Sequence, residues 1–489
     1  MPCLPEHITH IIPIMKKDSS NIPLRLLYYG LLLAGTMTLF IDTVIAANGA
    51  TLSKDLARSV DTPQWLYLAT GGMAVGASAL LASFVTERNF IDYIHSRSVS
   101  ISAGGTEWYR YVKLSLQTVG LGAVALAIYV GYVGPELPTA SLTILITFVG
   151  VRAGLPVVAY LVGNIWPALN PWRTFEALPN GFLTYPESYG RWPGVAGLLL
   201  LVWVELIFPV STIPSVLATA IVMYTLITAG GVFLFGSGSW FNNVDPLSII
   251  FRMLGAVAPL QWKNGALNLQ LPGSELTETD VISDIADIAF VIALIWELTY
   301  SGFVSTTAGA ATVETIVDLF PGILSAQGRA VIVYSVILLG GYAVFFGAYR
   351  YAATVSRRRT NTYITARSIA IRFAPPLIAI AAGYHLAHYA SLTVSLSPAF
   401  FTTLAAPLSP PANPLVLTTP PWFNAVGIAS VLIGHLLAVW AAHAIAFDLF
   451  SSRPIAIRSQ YPFVAVMIGY TIISLWIISL PGATPPFLP

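Results

Sequence analysis

The sequence predicts an all-α protein, a polytopic integral membrane helical bundle of about 11 transmembrane helices, N-in and C-out. Three observations predict it. Only 9% of the 489 residues are charged, against about 25% in soluble domains. Hydrophobic residues make up 56% of the chain, and the mean hydropathy is +0.75. Apolar runs of the roughly 20 residues needed to cross a bilayer recur along the whole length. A soluble enzyme is thereby excluded. The net charge of +1 gives no reason to expect nucleic acid, and no basic stretch is interleaved with aromatics as in RNA-binding segments. The lone cysteine, Cys3, excludes an intramolecular disulfide framework and a cysteine-ligated cluster.

In chain order, 1–25 reads as a cytoplasmic N-terminal tail with Lys16, Lys17 and Arg25. The region 26–236 holds transmembrane helices 1–6, at 26–48, 65–85, 114–133, 140–163, 193–209 and 213–236. The first run is followed by a small-residue AANGA, but it is too long for the h-region of a signal peptide and is read as a span. A cytoplasmic amphipathic segment and small hairpin occupy 237–283. Within it, Val244 to Leu260 has an apolar face suited to the membrane surface. Leu260 to Gly273 alternates polar and apolar residues about Asn264-Gly265, as a hairpin does. The region 284–480 holds transmembrane helices 7–11, at 284–305, 330–350, 373–394, 422–448 and 461–480, and 481–489 is an external tail. Ala311 to Leu324, between helices 7 and 8, is a second candidate for lying along the surface. No internal repeat gives the signature of an inverted-repeat transporter.

Orientation follows from the basic residues, which collect on the cytoplasmic side. Arg357, Arg358, Arg359, Arg367 and Arg372 fall in one connection, and Arg453 and Arg458 in another. Counting back through eleven spans puts Arg88, Arg97, Arg173 and Arg191 on that side too. The uncharged, Pro-rich 395–421 and the tail after 480 fall outside. The 49–64 connection departs from the pattern, with Lys54 and Arg58 offset by Asp55 and Asp61.

Ionisable groups in hydrocarbon are costly and mark functional sites by default. This chain places Asp42 in helix 1, Arg152 in helix 4, Glu205 in helix 5, Glu297 in helix 7, His385 and His388 in helix 9, and His435 and His443 in helix 10. At about 1.5 Å of rise per residue, Glu205, Glu297 and His385 share a layer about 18–20 Å from the inner edge, with His388 one turn further out. Arg152 and His435 land about 10–14 Å deep, within reach of that layer if the helices tilt. His443 and Asp448 lie near the cytoplasmic mouth.

His385 and His388 are three residues apart and project from one helix face, so with His435 and a glutamate they form a set suited to zinc, copper, iron or manganese. Two other readings fit the same residues. The histidines can bond to each other, to Tyr384 or Tyr389 and to backbone carbonyls, packing the bundle. They can also line a path for protons or substrate without metal. Haem b fits less well, because His435 and His443 are about 12 Å apart along one helix and only four histidines lie in the spans. For Glu205 and Glu297 an ion pair with Arg152 stands beside the role of ligand or proton carrier. At the end of helix 4, Pro167 and Asn170-Pro171 stop the helix, while Trp166, Trp172 and Arg173 suit the headgroup belt.

The segments NIWPALNPWRTF, YPESYGRWPGVAGLLLLVWVELIFP, GYHLAHYASL, VLIGHLLAVWAAHAIAF and RSQYPFVAVMIGYTIISLW resemble, in the same order, a family of polytopic archaeal and bacterial membrane proteins. Some of its members bear the name fenitrothion hydrolase, an organophosphate-degrading enzyme. The resemblance runs from about Gln64 to Trp476. It implies family histidines at His385, His388, His435 and His443 and membrane carboxylates near Glu205 and Glu297. The sequence departs from the pattern at Ser391–Ser395, where a Gln-containing stretch is expected, and at Glu297, where relatives have Asp. The activity it implies is phosphotriester hydrolysis by a metal on His385, His388 and His435, with Glu297 as ligand or general base and Arg152 stabilising phosphoryl charge. The expectation is thus a metal-dependent membrane enzyme of the cytoplasmic (plasma) membrane, its partners the lipid bilayer and a small-molecule or ion substrate. The competing expectations are a transporter of a metal ion, proton or small solute, and a haem-binding electron-transfer subunit.

Overall fold

The computed structural model describes residues 72–73, 75–80, 82, 98–101, 106–177, 181–263, 266–278, 280–320, 322 and 324–488. The tail 1–25, the first span with Asp42, the 49–64 connection and most of the 65–85 span lie outside them. The chain divides after Val44, and all the described residues belong to the second unit, Ile45–Pro489.

The elements in order are β1 (Ser98–Ile101), α1 (Thr106–Val133), α2 (Leu142–Leu161), α3 (Trp192–Ile207), α4 (Pro214–Phe235), α5 (Ser237–Asn243), α6 (Pro246–Gly255), β2 (Leu260–Lys263) and β3 (Ala266–Gln270). They continue with α7 (Ile285–Val304), α8 (Thr307–Leu319), α9 (Ala326–Thr360), α10 (Ala366–Arg372), α11 (Pro376–Ala405), α12 (Asn424–Leu449) and α13 (Arg453–Ser479). Among the described residues eight of these, namely α1, α2, α4, α7, α9, α11, α12 and α13, are long and apolar enough to cross a membrane. The protein is therefore a multi-pass helical bundle whose apolar helices meet lipid. The apolar α3 has 16 residues and falls short of that length.

The central helix is α7. Every residue from Ala286 to Tyr300 is buried, the mark of a helix apolar on all sides and surrounded by others. Its start is set by a capping box, in which Asp284 accepts from the Asp287 amide while the Asp287 side chain accepts from the Asp284 amide. Its rotation is set by Trp296, which lies over Gly341 of α9, where a Cβ would have no room, and donates to the Leu338 carbonyl at 2.8 Å. At about 100° per residue, Glu297 is thereby turned away from α9. In α3, Trp203 donates to Ser335 of α9 at 2.9 Å and fixes the rotation of the helix that carries Glu205.

Helices α11 and α12 approach through two glycines. A Cβ on Gly383 would lie 2.6 Å from the Ser430 carbonyl, and one on Gly434 2.6 Å from the Ala379 carbonyl. Small residues facing each other are what bring two helices together in lipid, where burying apolar side chains gains nothing. Helix α9 ends at Asn361 in the left-handed conformation, φ 46°. Arg357, Arg358 and Arg359 lie in its last turn, where cations complement the helix dipole.

The connections sort into two ends. At one, the expected hairpin forms as β2 and β3, with Leu260 opposite Leu269 and Lys263 opposite Ala266. It is extended by β1, unforeseen in the sequence, which pairs antiparallel to β3 with Ser98 opposite Gln270. The same end carries the close of α2, since the Leu260 amide donates to the Val162 carbonyl at 3.1 Å. At the other end, Thr306 bridges Gly482, the Thr307 amide donates to the Pro481 carbonyl, and Tyr334 donates to the Pro486 carbonyl.

Two surface expectations are corrected. The apolar face of the Val244–Leu260 stretch is not turned to lipid, because Ile249, Phe251, Met253 and Leu254 of α6 are all buried against the rest of the protein. Trp166 and Trp172 are buried rather than belted. Trp166 stacks on Phe251 at 4.5 Å, Trp172 meets Tyr224 edge-on, and Asn170 donates to Ser248 at 3.2 Å. Phe251 of α6 and Tyr224 of α4 pack on these rings, and burial partners supplied from 85 and 52 residues away leave no local trace in the helix-stop motif.

Candidate functional site

The site begins with a backbone irregularity. Pro156 has no N–H to give to the carbonyl four residues back, that of Arg152, and its ring crowds that carbonyl. From Ile146 to Gly154 the chain winds as a π-helix, and the Leu155 amide reaches the Gly150 carbonyl, five residues back. Such segments in α-helices are rare and concentrate at functional sites. The Arg152 carbonyl instead accepts a hydrogen bond from His385 Nε2 on α11, at 2.9 Å. The other ring nitrogen, Nδ1, lies 3.3 Å from the Tyr160 hydroxyl, one helix segment beyond the proline. With Nε2 as donor, Nδ1 is the acceptor and Tyr160 donates to it.

The Arg152 side chain reaches two carboxylates. Its Nη2 donates to Glu297 Oε2 on α7 at 3.0 Å and lies 3.0 Å from Glu205 Oε2 on α3. Beneath it is the ring of Tyr389, 5.5 Å from the guanidinium carbon, a cation–π distance. The two carboxylates differ. Glu297 is hydrogen-bonded and its side chain is 4% exposed; Glu205 is in ion contact and 21% exposed. One guanidinium faces two carboxylates, so with both ionised the centre carries one negative charge in excess. Among the described residues, Arg152 Nε is buried without a hydrogen-bond partner.

The structure brings together Arg152, Glu205, Glu297 and His385, on α2, α3, α7 and α11. His388 is half-buried one turn beyond, its ring 4.7 Å from Tyr389. Two expected members lie elsewhere. His435 turns to α13, with Nδ1 2.8 Å from the Val431 carbonyl and Nε2 2.6 Å from the Thr471 hydroxyl. His443 lies 3.3 Å through Nδ1 from Gln460, also on α13, and its ring contacts Phe447 at 4.6 Å. The site thus sits between helices 4, 5, 7 and 9 of the sequence reading, with helix 4 as its hub in place of helix 10.

His385 and His435 each have both ring nitrogens engaged, and the two glutamates share a guanidinium. Among the described residues no three His, Cys, Asp or Glu side chains converge as a group able to hold an ion. Axial ligation of haem by the same two imidazoles meets the same obstacle.

Residue-by-residue reading missed Pro156, Tyr160 and Thr471. The first had a signal: an intramembrane arginine followed four residues later by proline leaves a carbonyl that a neighbouring helix must satisfy. Tyr160 and Thr471 had none, since a hydroxyl near a helix end or in an apolar run is an ordinary residue there. Comparison with family models, curated proteins and solved structures finds no match to this chain.

Proposed function

We propose that this chain is a proton-coupled transporter of a small solute or ion, in which the Glu205–Arg152–Glu297 centre takes up and releases the coupling proton. The observation that carries the proposal is the single guanidinium facing two carboxylates. An excess charge in the bundle interior is costly, and protonating one carboxylate removes it. Glu205 is the carrier, because it is the more exposed of the two, 21% against 4%, and so the nearer to a proton source. Glu297 stays ionised as the permanent partner of the arginine.

Eleven spans with the N-terminus in the cytoplasm and the C-terminus outside belong to the same proposal. Nine of the eleven coincide with described helices, α3 among them. A sheet that joins the connection before α1 to the one after α6 requires an even number of crossings between, and α1 to α4 supply four if α3 crosses. Arginine clustering at 357–359, 453 and 458 assigns that end to the cytoplasm of a plasma membrane. Membership of the family that includes fenitrothion hydrolase is kept on its sequence motifs. The hydrolase chemistry of that name has less support, because His385 bonds the Arg152 carbonyl and Tyr160 while His435 bonds the Val431 carbonyl and Thr471 on another helix pair.

The test is infrared titration of the protein in lipid nanodiscs, together with charge movement after a pH jump in a supported membrane. A protonated-carboxyl band that titrates, disappears in Glu205→Gln and is accompanied by a transient current supports the proposal. A wild-type protein with no titrating carboxyl band and no current overturns it. For topology, a reporter fused after Arg359 should signal cytoplasm and one within 400–418 the exterior, and reversal at both sites would overturn the orientation.

A further inference from the structure

We infer that His385 is a positioning residue for this centre: by donating to the Arg152 carbonyl vacated by Pro156, it holds the π-turn that aims the Arg152 side chain at both glutamates. The inference rests on the proton-carrying reading of the centre and adds to it a residue that touches neither carboxylate.

The geometry leads there in three steps. Pro156 cannot bond the Arg152 carbonyl, and a buried carbonyl without a donor is costly. His385 supplies the donor from α11 at 2.9 Å, so this bond joins two helices where an α-helix would have used its own backbone. On the far side of the proline, Tyr160 donates to the same imidazole. The ring therefore grips α2 on both sides of the irregularity, at residue 152 and at residue 160.

The consequence is rotational. A turn of π-helix holds one more residue than a turn of α-helix, so converting it to regular helix turns one flank against the other by about 100°. With Tyr160 held, that rotation carries Arg152 off the line joining Glu205 and Glu297. The imidazole acts through backbone and tautomer: Nε2 must carry the hydrogen and Nδ1 must accept. Arg152 approaches this ring from α2. From α11 itself the titratable neighbours are Tyr389, whose ring is 4.7 Å away, and His388 beyond it.

Three variants of the full-length protein test this, read by the infrared carboxyl titration and by thermal unfolding. His385→Gln keeps an N–H where Nε2 stands and should titrate as the wild type does. His385→Leu keeps volume, loses the donor, and should displace the carboxyl midpoint by at least about tenfold in proton concentration, as loss of a neighbouring cation does. Adding Pro156→Ala to His385→Leu returns a backbone N–H to the carbonyl. It should recover thermal stability while leaving the titration displaced, because the regular helix it permits points Arg152 elsewhere. A merely structural histidine would lose stability without moving the midpoint. His385→Leu with a wild-type midpoint overturns the inference, as does His385→Gln behaving like His385→Leu. If the wild type shows no titrating carboxyl at all, the proton-carrying reading fails instead, and the midpoint comparison does not arise.

Discussion

Two polar regions lie inside this bundle, and they solve the problem of burial in opposite ways. Between α12 and α13, His443 meets Gln460, and His435 meets Thr471 and the Val431 carbonyl. No formal charge is required there, and the His443–Gln460 and His435–Thr471 pairs each tie α12 to α13. Where α2, α3, α7 and α11 meet, one arginine stands between two glutamates, and the charges do not cancel without a proton or a bound cation. Histidine and glutamate at membrane depth are equally conspicuous in sequence, yet the α12–α13 seam is neutral and adhesive while the centre at Arg152 holds charge. The difference shows that an intramembrane ionisable residue is informative through its partner's charge more than through its own presence.

The comparison is broken most directly at Arg152. Arg152→Leu leaves two buried carboxylates without a cation, and loss of one partner of a buried pair costs about 3–5 kcal/mol. Little folded protein should survive detergent extraction, and an extracted yield and melting temperature like those of the wild type would move Arg152 into the adhesive class.

The glutamates give a sharper version. Glu205→Gln or Glu297→Gln alone leaves the arginine one carboxylate, so each should unfold within about 1 kcal/mol of the wild type. The double variant strands the arginine and should cost about 3 kcal/mol or more. A double-mutant cycle in a lipid environment that closes additively would show that the three side chains are not one unit.

Next in size is Gly383→Ala, which drives a methyl toward the Ser430 carbonyl and pushes α11 from α12. A cost of about 1–3 kcal/mol is expected, with both polar regions loosened because His385 and His435 sit on the two separating helices. The smallest effect belongs to the neutral seam. Thr471→Val removes one hydrogen-bond partner of His435 and should cost about 1 kcal/mol without moving the carboxyl titration. A displaced titration in that variant would join the two regions and end the contrast.

Several of these features were legible beforehand. Counting residues inward from the basic connections put Glu205, Glu297 and His385 in one layer, and the structure has all three around Arg152. The Asn264-Gly265 hairpin was readable from alternation. His435, like Arg152, was put within reach of that layer by helix tilt, and yet it faces α13. Four residues of Ser-Val-Ser-Ile are too short to announce β1, and Trp166 and Trp172 read as interfacial because an interfacial ring and a buried one look alike in a sequence.

Rise along a helix is a fixed length per residue, so composition and spacing alone were enough to establish a multi-pass bundle of apolar helices and to put Glu205, Glu297 and His385 at a common level along theirs. Rotation about a helix axis has no such local rule. It depends on which neighbour a helix meets: Trp296 over Gly341, Gly383 against Gly434, and an imidazole on α11 answering a carbonyl that Pro156 left open on α2. Those contacts join residues 45 to more than 200 positions apart, and they alone decided that Arg152 faces the two glutamates while His435 faces a threonine.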